Sequence, residues 1–145
     1  MEIREATPQD DLAVERVRLG TWKVAYRGLV PDAYLDALEP GERRTPPSTT
    51  TLIALAPEPA GMAAHGPCRD GEGRELYALY VLPAHWGTGL GDDLLAACGD
   101  VSSLWVLEHN ARARAFYARH GFTPDGTAKA IDLGEPVSEI RMTRG

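Results

Sequence analysis

Two stretches of the chain are apolar almost without interruption. Leu76 to Leu82 reads LYALYVL, and Ser103 to Leu107 reads SLWVL. Runs of that length and content predict strands covered on both faces. After each run the apolar spacing changes to steps of three and four. Leu90, Leu94, Leu95 and Cys98 follow the first, with Gly99 as a fitting stop; Ala113, Phe116, Tyr117 and His120 follow the second, with Asn110 as cap and Gly121 as the left-handed C-terminal residue. The centre of the chain therefore reads strand, helix, strand, helix.

Shorter signals flank this centre. Ile3 to Ala6 is a strand candidate, and Thr7-Pro8-Gln9-Asp10 is a capping-box-like helix start. The helix runs to about Tyr26, with Ala13, Val17, Gly20 or Thr21, and Val24 along its apolar stripe, and Gly28 ends it. Trp22 and Tyr26, four apart, share a face. A second short helix spans Pro31 to Leu38, closed by Pro40-Gly41. Glu42 to Thr50, with Pro46-Pro47 and a Ser/Thr run, holds no regular element, and Arg43-Arg44 within it reads as a solvated face. Leu52 to Ala56 and Gly61 to His65 form a hairpin through Pro57-Glu58-Pro59; Arg69 to Gly73 turns into the central strand. Strands at Phe122-Thr123 and Val137 to Met142 close the chain, the second alternating Val137, Glu139 and Arg141 with Ser138, Ile140 and Met142. The expected fold class is α/β, a mixed, mainly antiparallel sheet flanked by helices around one β-α-β unit, in a single domain over residues 1–145.

Between the first apolar run and its helix lie Gly87, Gly89 and Gly91. A glycine turn opening a helix lets backbone N–H groups approach an anion, at the positive end of the helix dipole. Neither familiar nucleotide loop fits. A P-loop ends in Gly-Lys-Ser/Thr, whereas Asp92 and Asp93 follow Gly91, and Asp92 stands where a dinucleotide fingerprint needs glycine or alanine. A nucleotide-binding domain is thereby weakened.

Composition narrows the classes further. Fifteen basic against twenty-one acidic residues give a net charge of −6, which argues against a nucleic-acid groove and weakly favours a cationic substrate. Cys68 and Cys98 lack metal-like spacing and read as reduced thiols, with no metal site expected. No apolar run of signal-peptide length stands at Met1 to Glu5, and none elsewhere is long enough to span a bilayer; a soluble cytoplasmic protein, not membrane-bound, is expected.

The letters around the turn resemble the GNAT superfamily of N-acetyltransferases, most firmly from Glu75 to Phe122. That family's acetyl-CoA loop is Arg/Gln-x-x-Gly-x-Gly/Ala after a strand ending Val-x-Pro; here Val81-Leu82-Pro83 leads to Trp86-Gly87-Thr88-Gly89-Leu90-Gly91. Its second signature, Asn-x-x-Ala-x-x-Phe-Tyr with a closing Gly-Phe, is matched from Asn110 to Phe122. The resemblance implies a GNAT-like fold whose β-α-β unit binds acetyl-CoA as acyl donor. It implies transfer of the acetyl group to a primary amine of a small molecule or peptide, by direct attack in a ternary complex.

It also implies residues. Backbone N–H groups of Leu79 and Val81 meet the pantetheine arm and the acyl carbonyl. Pyrophosphate sits on Trp86, Gly87, Thr88, Gly89, Leu90 and Gly91, with Asp92 at the helix start, and Asn110 and Phe116 border the cofactor arm. Tyr117 lies beside the cofactor sulfur as proton donor to the departing thiolate, a role that a phenol with a pKa near 10 fits. Only about one alkylamine in a thousand is neutral near pH 7, so a base helps. Glu75, a half-buried carboxylate on one face with Tyr77 and Leu79, is the candidate, acting directly or through water; His65, His109 and a bare water chain are alternatives. Trp22, Tyr26 and Tyr77, with Tyr34 and His65, are candidate acceptor walls. Two departures stand out: Trp86 replaces the motif's Arg/Gln, and Asp92-Asp93 place negative charge where phosphates arrive, so weaker cofactor affinity is expected. A catalytically inactive acyl-CoA-binding module is the rival reading, and a homodimer, common in the family, is left open.

Overall fold

The computed structural model describes residues 1–41 and 45–145; Arg43-Arg44 and Glu42 lie outside the described residues. In chain order the elements are β1 (Glu2–Glu5), α1 (Asp11–Ala25), α2 (Asp32–Asp36), β2 (Thr50–Leu55), β3 (Pro59–Pro67), β4 (Arg74–Val81), α3 (Leu90–Ala97), β5 (Ser103–Leu107), α4 (Ala111–Arg119), β6 (Thr123–Asp132) and β7 (Pro136–Thr143). The strands form one sheet in the order β1-β2-β3-β4-β5-β7-β6. Every pairing is antiparallel except β4 with β5, which flank the crossover through α3.

Strand alternation sends side chains to two cores. Leu52, Ala63, Leu76, Leu104 and Val106 pack against Leu90, Leu94 and Leu95 of α3 and Tyr117 of α4. Ile53, Met62 and Ala64 point the other way, against Val14 and Val17 of α1, while Leu107 joins Leu133, Val30 and Leu35 beneath α2. The sheet is thus sandwiched, with α3 and α4 on one face and α1 and α2 on the other. The start of α1 follows the expected chemistry: Asp10 accepts the Thr7 N–H at 2.8 Å, and Arg4 forks onto the same carboxylate at 2.8 and 3.1 Å.

Several expectations need correction. The covered face of α1 comprises Val14, Val17 and Thr21 with Glu15 and Leu19, whereas Val24 is exposed. Val24 lies past the end of the stripe docked on the sheet, at the rim of a cavity. The strand expected at Phe122-Thr123 runs on for ten residues to Asp132. It is an edge strand exposed along almost its whole length, so its sequence, TPDGTAKAID, carries little apolar signal, and a register shift between Pro124 and Ala128 absorbs the Pro-Asp-Gly segment. The short second helix is narrower than expected. Most important, β4 is not covered on both faces: Tyr77 to Tyr80 are only half-buried, because the sheet opens beside them. Among the described residues no helix is long and apolar enough to cross a membrane.

Candidate active site

The site begins where the sheet comes apart. β4 and β5 pair only at Glu75 with Ser103 and Leu76 with Leu104, then diverge. A cavity of about 990 Å³ fills the opening, lined by β4 from Leu76 to Val81 and β5 from Leu104 to Leu107, with walls from α1, α4 and the β6–β7 hairpin. The divergence leaves backbone groups of β4 without ladder partners. Leu82 donates its N–H to Ala60 O at 2.9 Å, on the β3 side. Alternation therefore turns the N–H groups of Leu79 and Val81 toward the opening, where the Trp86 indole already donates to Val81 O at 2.7 Å.

The glycine turn forms one end of the cavity. Gly87 (φ +77°) and Gly89 (φ +86°) both adopt the left-handed region that other residues rarely occupy, and a Cβ on either would meet open space. Asp93 N–H to Gly89 O, 3.1 Å, is the first bond into α3, so Leu90, Gly91 and Asp92 begin the helix with N–H groups that have no partner within it. A Cβ at Gly91 would come within 3.2 Å of Phe116, which packs beneath the turn. Thr88 points away, its hydroxyl donating to His85 O at 2.6 Å. Asp92 does not stand free among these donors: its carboxylate is 2.7 Å from His120 Nε2 and 3.5 Å from Arg119 Nη2. Over Trp86 lies a cation that sequence reasoning missed, the Arg112 guanidinium, its carbon 3.6 Å from the ring centroid. This set of free donors around an open, Cβ-less surface fits a phosphate-bearing acyl carrier.

Tyr117 comes from α4, whose first turn is fixed by Asn110 Oδ1 accepting the Ala113 N–H at 3.2 Å. The tyrosine is buried, lines the cavity, and packs edge-on to Phe116 and Phe122. Burial above all, then the neighbouring Tyr80 and Cys98, pushes its phenol above the usual range, so it stays protonated at any physiological pH.

Glu75 departs from the expected half-buried, available base. It is only 1% exposed, and Arg69 takes both oxygens: Nη2 at 2.6 Å on one, Nε at 3.2 Å and the backbone N–H at 3.0 Å on the other. Arg69, not Glu75, lines the cavity, with its guanidinium over the Tyr77 ring. Tyr77 also lines it, and its hydroxyl donates to Pro67 O. Neither alternative imidazole lines the cavity: His65 is packed on β3 against Arg74 Nη2 at 2.8 Å, and His109 is exposed. A different carboxylate does. Glu139 on β7 faces the opening opposite Leu107, and burial raises its pKa above the ordinary carboxylate range, with Lys129 pulling the other way. The alternation of Val137, Glu139 and Arg141 carried that signal, as a lone carboxylate on a strand's inward side.

Trp22 and Tyr26 form the far wall, their rings 4.8 Å apart, with Tyr80 at 6.3 Å from Trp22. The Trp22 indole N–H is buried on the Tyr80 side and makes no well-formed hydrogen bond among the described residues. Tyr34 is elsewhere, against Gly134 in the β6–β7 turn.

Solved structures share this architecture. The PaiA N-acetyltransferase of Thermoplasma acidophilum in complex with coenzyme A superposes with a TM-score of 0.74 at 20% identity, over 99% of this chain and 98% of that one. An acetyltransferase of Thermus thermophilus gives 0.60 at 22%, over 97% and 96%. The fold is therefore one shared with these acetyltransferases. The sequence itself matches the acetyltransferase (GNAT) domain over residues 47–124, and is 30% identical over 125 residues to the uncharacterized N-acetyltransferase YuaI of Bacillus subtilis (strain 168), covering 74% of this chain and 72% of that protein. The chain belongs to the GNAT family and is an acetyltransferase.

Proposed function

We propose that this enzyme transfers the acetyl group of acetyl-CoA to a primary amine of a small molecule or peptide, by direct attack with both substrates bound. The observation that carries the reading is the opening between β4 and β5, which brings unpaired β4 donors, the glycine turn and the buried, protonated Tyr117 onto one cavity. Acetyl-CoA, when bound, supplies an activated thioester. The N–H groups of Leu79 and Val81 serve the acyl end, polarising the carbonyl without rearrangement. Gly87 to Asp92 hold the phosphates, with Asn110 and Phe116 bordering the arm.

Tyr117 gives its proton to the departing sulfur. Glu139 is the residue we assign to the base: it lines the cavity, is desolvated, and makes no ion pair among the described residues. Its raised pKa brings it closer to the pH at which an ammonium can be relieved of its proton, directly or through water. Glu75 then serves by holding Arg69 in place. The aromatic wall of Trp22, Tyr26 and Tyr80 forms the acceptor side.

Thermal unfolding with acetyl-CoA, ATP and NAD tests the donor. A ligand at one hundred times its dissociation constant adds about 2.7 kcal/mol, a shift of several degrees in a chain of this size. A shift with acetyl-CoA alone, followed by thiol release on adding amines, is the expected result. Binding without release for any amine would instead make the chain an acyl-CoA-binding module, and no shift with acetyl-CoA would remove the donor assignment.

A further inference from the structure

Between Val81 and Cys98 the chain carries no lysine or arginine, although the turn at Gly87 to Asp92 is the part of the cavity built to receive an anion. The missing charge arrives from another element. Arg112, in the first turn of α4, reaches across to lie over the Trp86 ring, its guanidinium carbon 3.6 Å from the ring centroid, and lines the cavity. Its guanidinium makes no ion pair or hydrogen bond among the described residues. Trp86 is itself fixed, through its indole N–H on Val81 O at 2.7 Å. Of the two carboxylates that open α3, Asp92 is occupied by His120 and Arg119, and Asp93 is exposed and outside the cavity.

We infer that Arg112, held on Trp86, grips the pyrophosphate of the CoA donor and replaces the charge absent from the turn. The substitution at Trp86 is then half of an exchange: the position gives up its own polar group and becomes the platform on which a guanidinium from α4 is oriented. A planar guanidinium stacks on an indole and still presents its N–H edge in a fork suited to phosphate oxygens. A lysine at 112 would keep the charge and lose the orientation. The inference rests on CoA being the donor.

Calorimetric titration with CoA, 3′-dephospho-CoA and pantetheine separates the contributions. Against wild type, Arg112→Gln should weaken CoA and 3′-dephospho-CoA alike by about ten- to a hundredfold, the loss of a charged hydrogen-bonding group. Pantetheine, which lacks the pyrophosphate, should bind as before and doubles as the folding control. Arg112→Lys should fall between the two, and Trp86→Leu should weaken CoA without touching Arg112. The salt dependence of CoA affinity should flatten in Arg112→Gln. Wild-type affinity in Arg112→Gln would overturn the inference while leaving the donor assignment intact; a loss confined to CoA would move Arg112 to the 3′-phosphate and overturn it equally. Failure of wild type itself to bind CoA would remove the donor assignment and this inference with it.

Discussion

Glu75→Gln distinguishes a carboxylate that holds structure from one that moves a proton. The substitution keeps the shape of a side chain that is 1% exposed and accepts three bonds from Arg69. Glutamine retains one oxygen for the Arg69 backbone N–H and Nε, but its amide N–H₂ then faces Nη2, donor against donor, where the carboxylate stood at 2.6 Å. Breaking a buried pair costs about 3–5 kcal/mol, and losing a hydrogen bond to a charged group about 1.5–3. The Arg69 side chain is 45% exposed, so water replaces what it loses and the smaller figure applies. About 2 kcal/mol at roughly 2–4 °C per kcal/mol gives a fall in Tm of about 4–8 °C. Assayed well below that transition with the amine found by thiol release, kcat should stay within about threefold of wild type, under 1 kcal/mol of barrier. Glu139→Gln should do the reverse, keeping Tm and losing about a hundredfold in kcat. The active form of Glu139 is the carboxylate, and burial raises its pKa. Activity should therefore rise with pH along a limb lying above the ordinary value of about 4.3, and that limb should vanish in the variant. An unchanged Tm in Glu75→Gln with kcat and the acidic limb lost would return the proton to Glu75 and refute this assignment.

Three further outcomes test other parts of the structure. Tyr117→Phe should lower kcat about a hundredfold while the dissociation constant for acetyl-CoA, by calorimetry, changes less than about twofold, because only the hydroxyl is removed from a ring that stays packed. Equal loss in both would make the tyrosine a packing residue. Gly61→Ala should cost about 1–3 kcal/mol in chemical denaturation, because its methyl would stand 2.9 Å from Leu94 Cδ1 and 3.2 Å from the Tyr80 backbone oxygen, which cannot yield. Burial pushes the Cys98 thiol up to about 11, so at pH 8 alkylation of the folded protein followed by mass mapping should modify the half-exposed Cys68 and leave Cys98 intact until the chain unfolds.

The central elements were legible because each is bounded by residues with one physical use. Ser103–Leu107 and the Asn110 cap stand where apolar run and capping chemistry put them. What the letters concealed shares one cause. β4 reads as fully buried because its side chains are apolar, and the same apolar residues serve a cavity wall. Periodicity cannot tell a neighbouring layer from a binding site. Glu75 stands at the position expected for a base, yet which partner fills a strand-end carboxylate depends on the Cys68 to Gly73 turn folding back with Arg69, a contact without sequence periodicity. β6 left almost no signal because an edge strand has little to bury.

Net charge describes the whole chain and leaves the cavity unread for a related reason. The chain is acidic, at −6, which by itself favours a cationic ligand. The cavity is charged the other way: Arg69, Arg112, Arg119 and Lys129 line it against Asp92 and Glu139. Their placement divides the two ends. Arg112 and Arg119 stand at the glycine turn, from α4, where the proposed mechanism seats the donor's phosphates. Glu139 stands on β7, across the opening, on the side that the proposed mechanism gives to the amine. Net charge is a property of the whole surface, while local fields within a low-dielectric cleft act over distances shorter than the molecule and are set by the few groups that face it. The sign of the whole therefore carries no information about the sign of the site, and the glycine-turn end is cationic because residues of α4, remote in sequence from the turn, fold onto it.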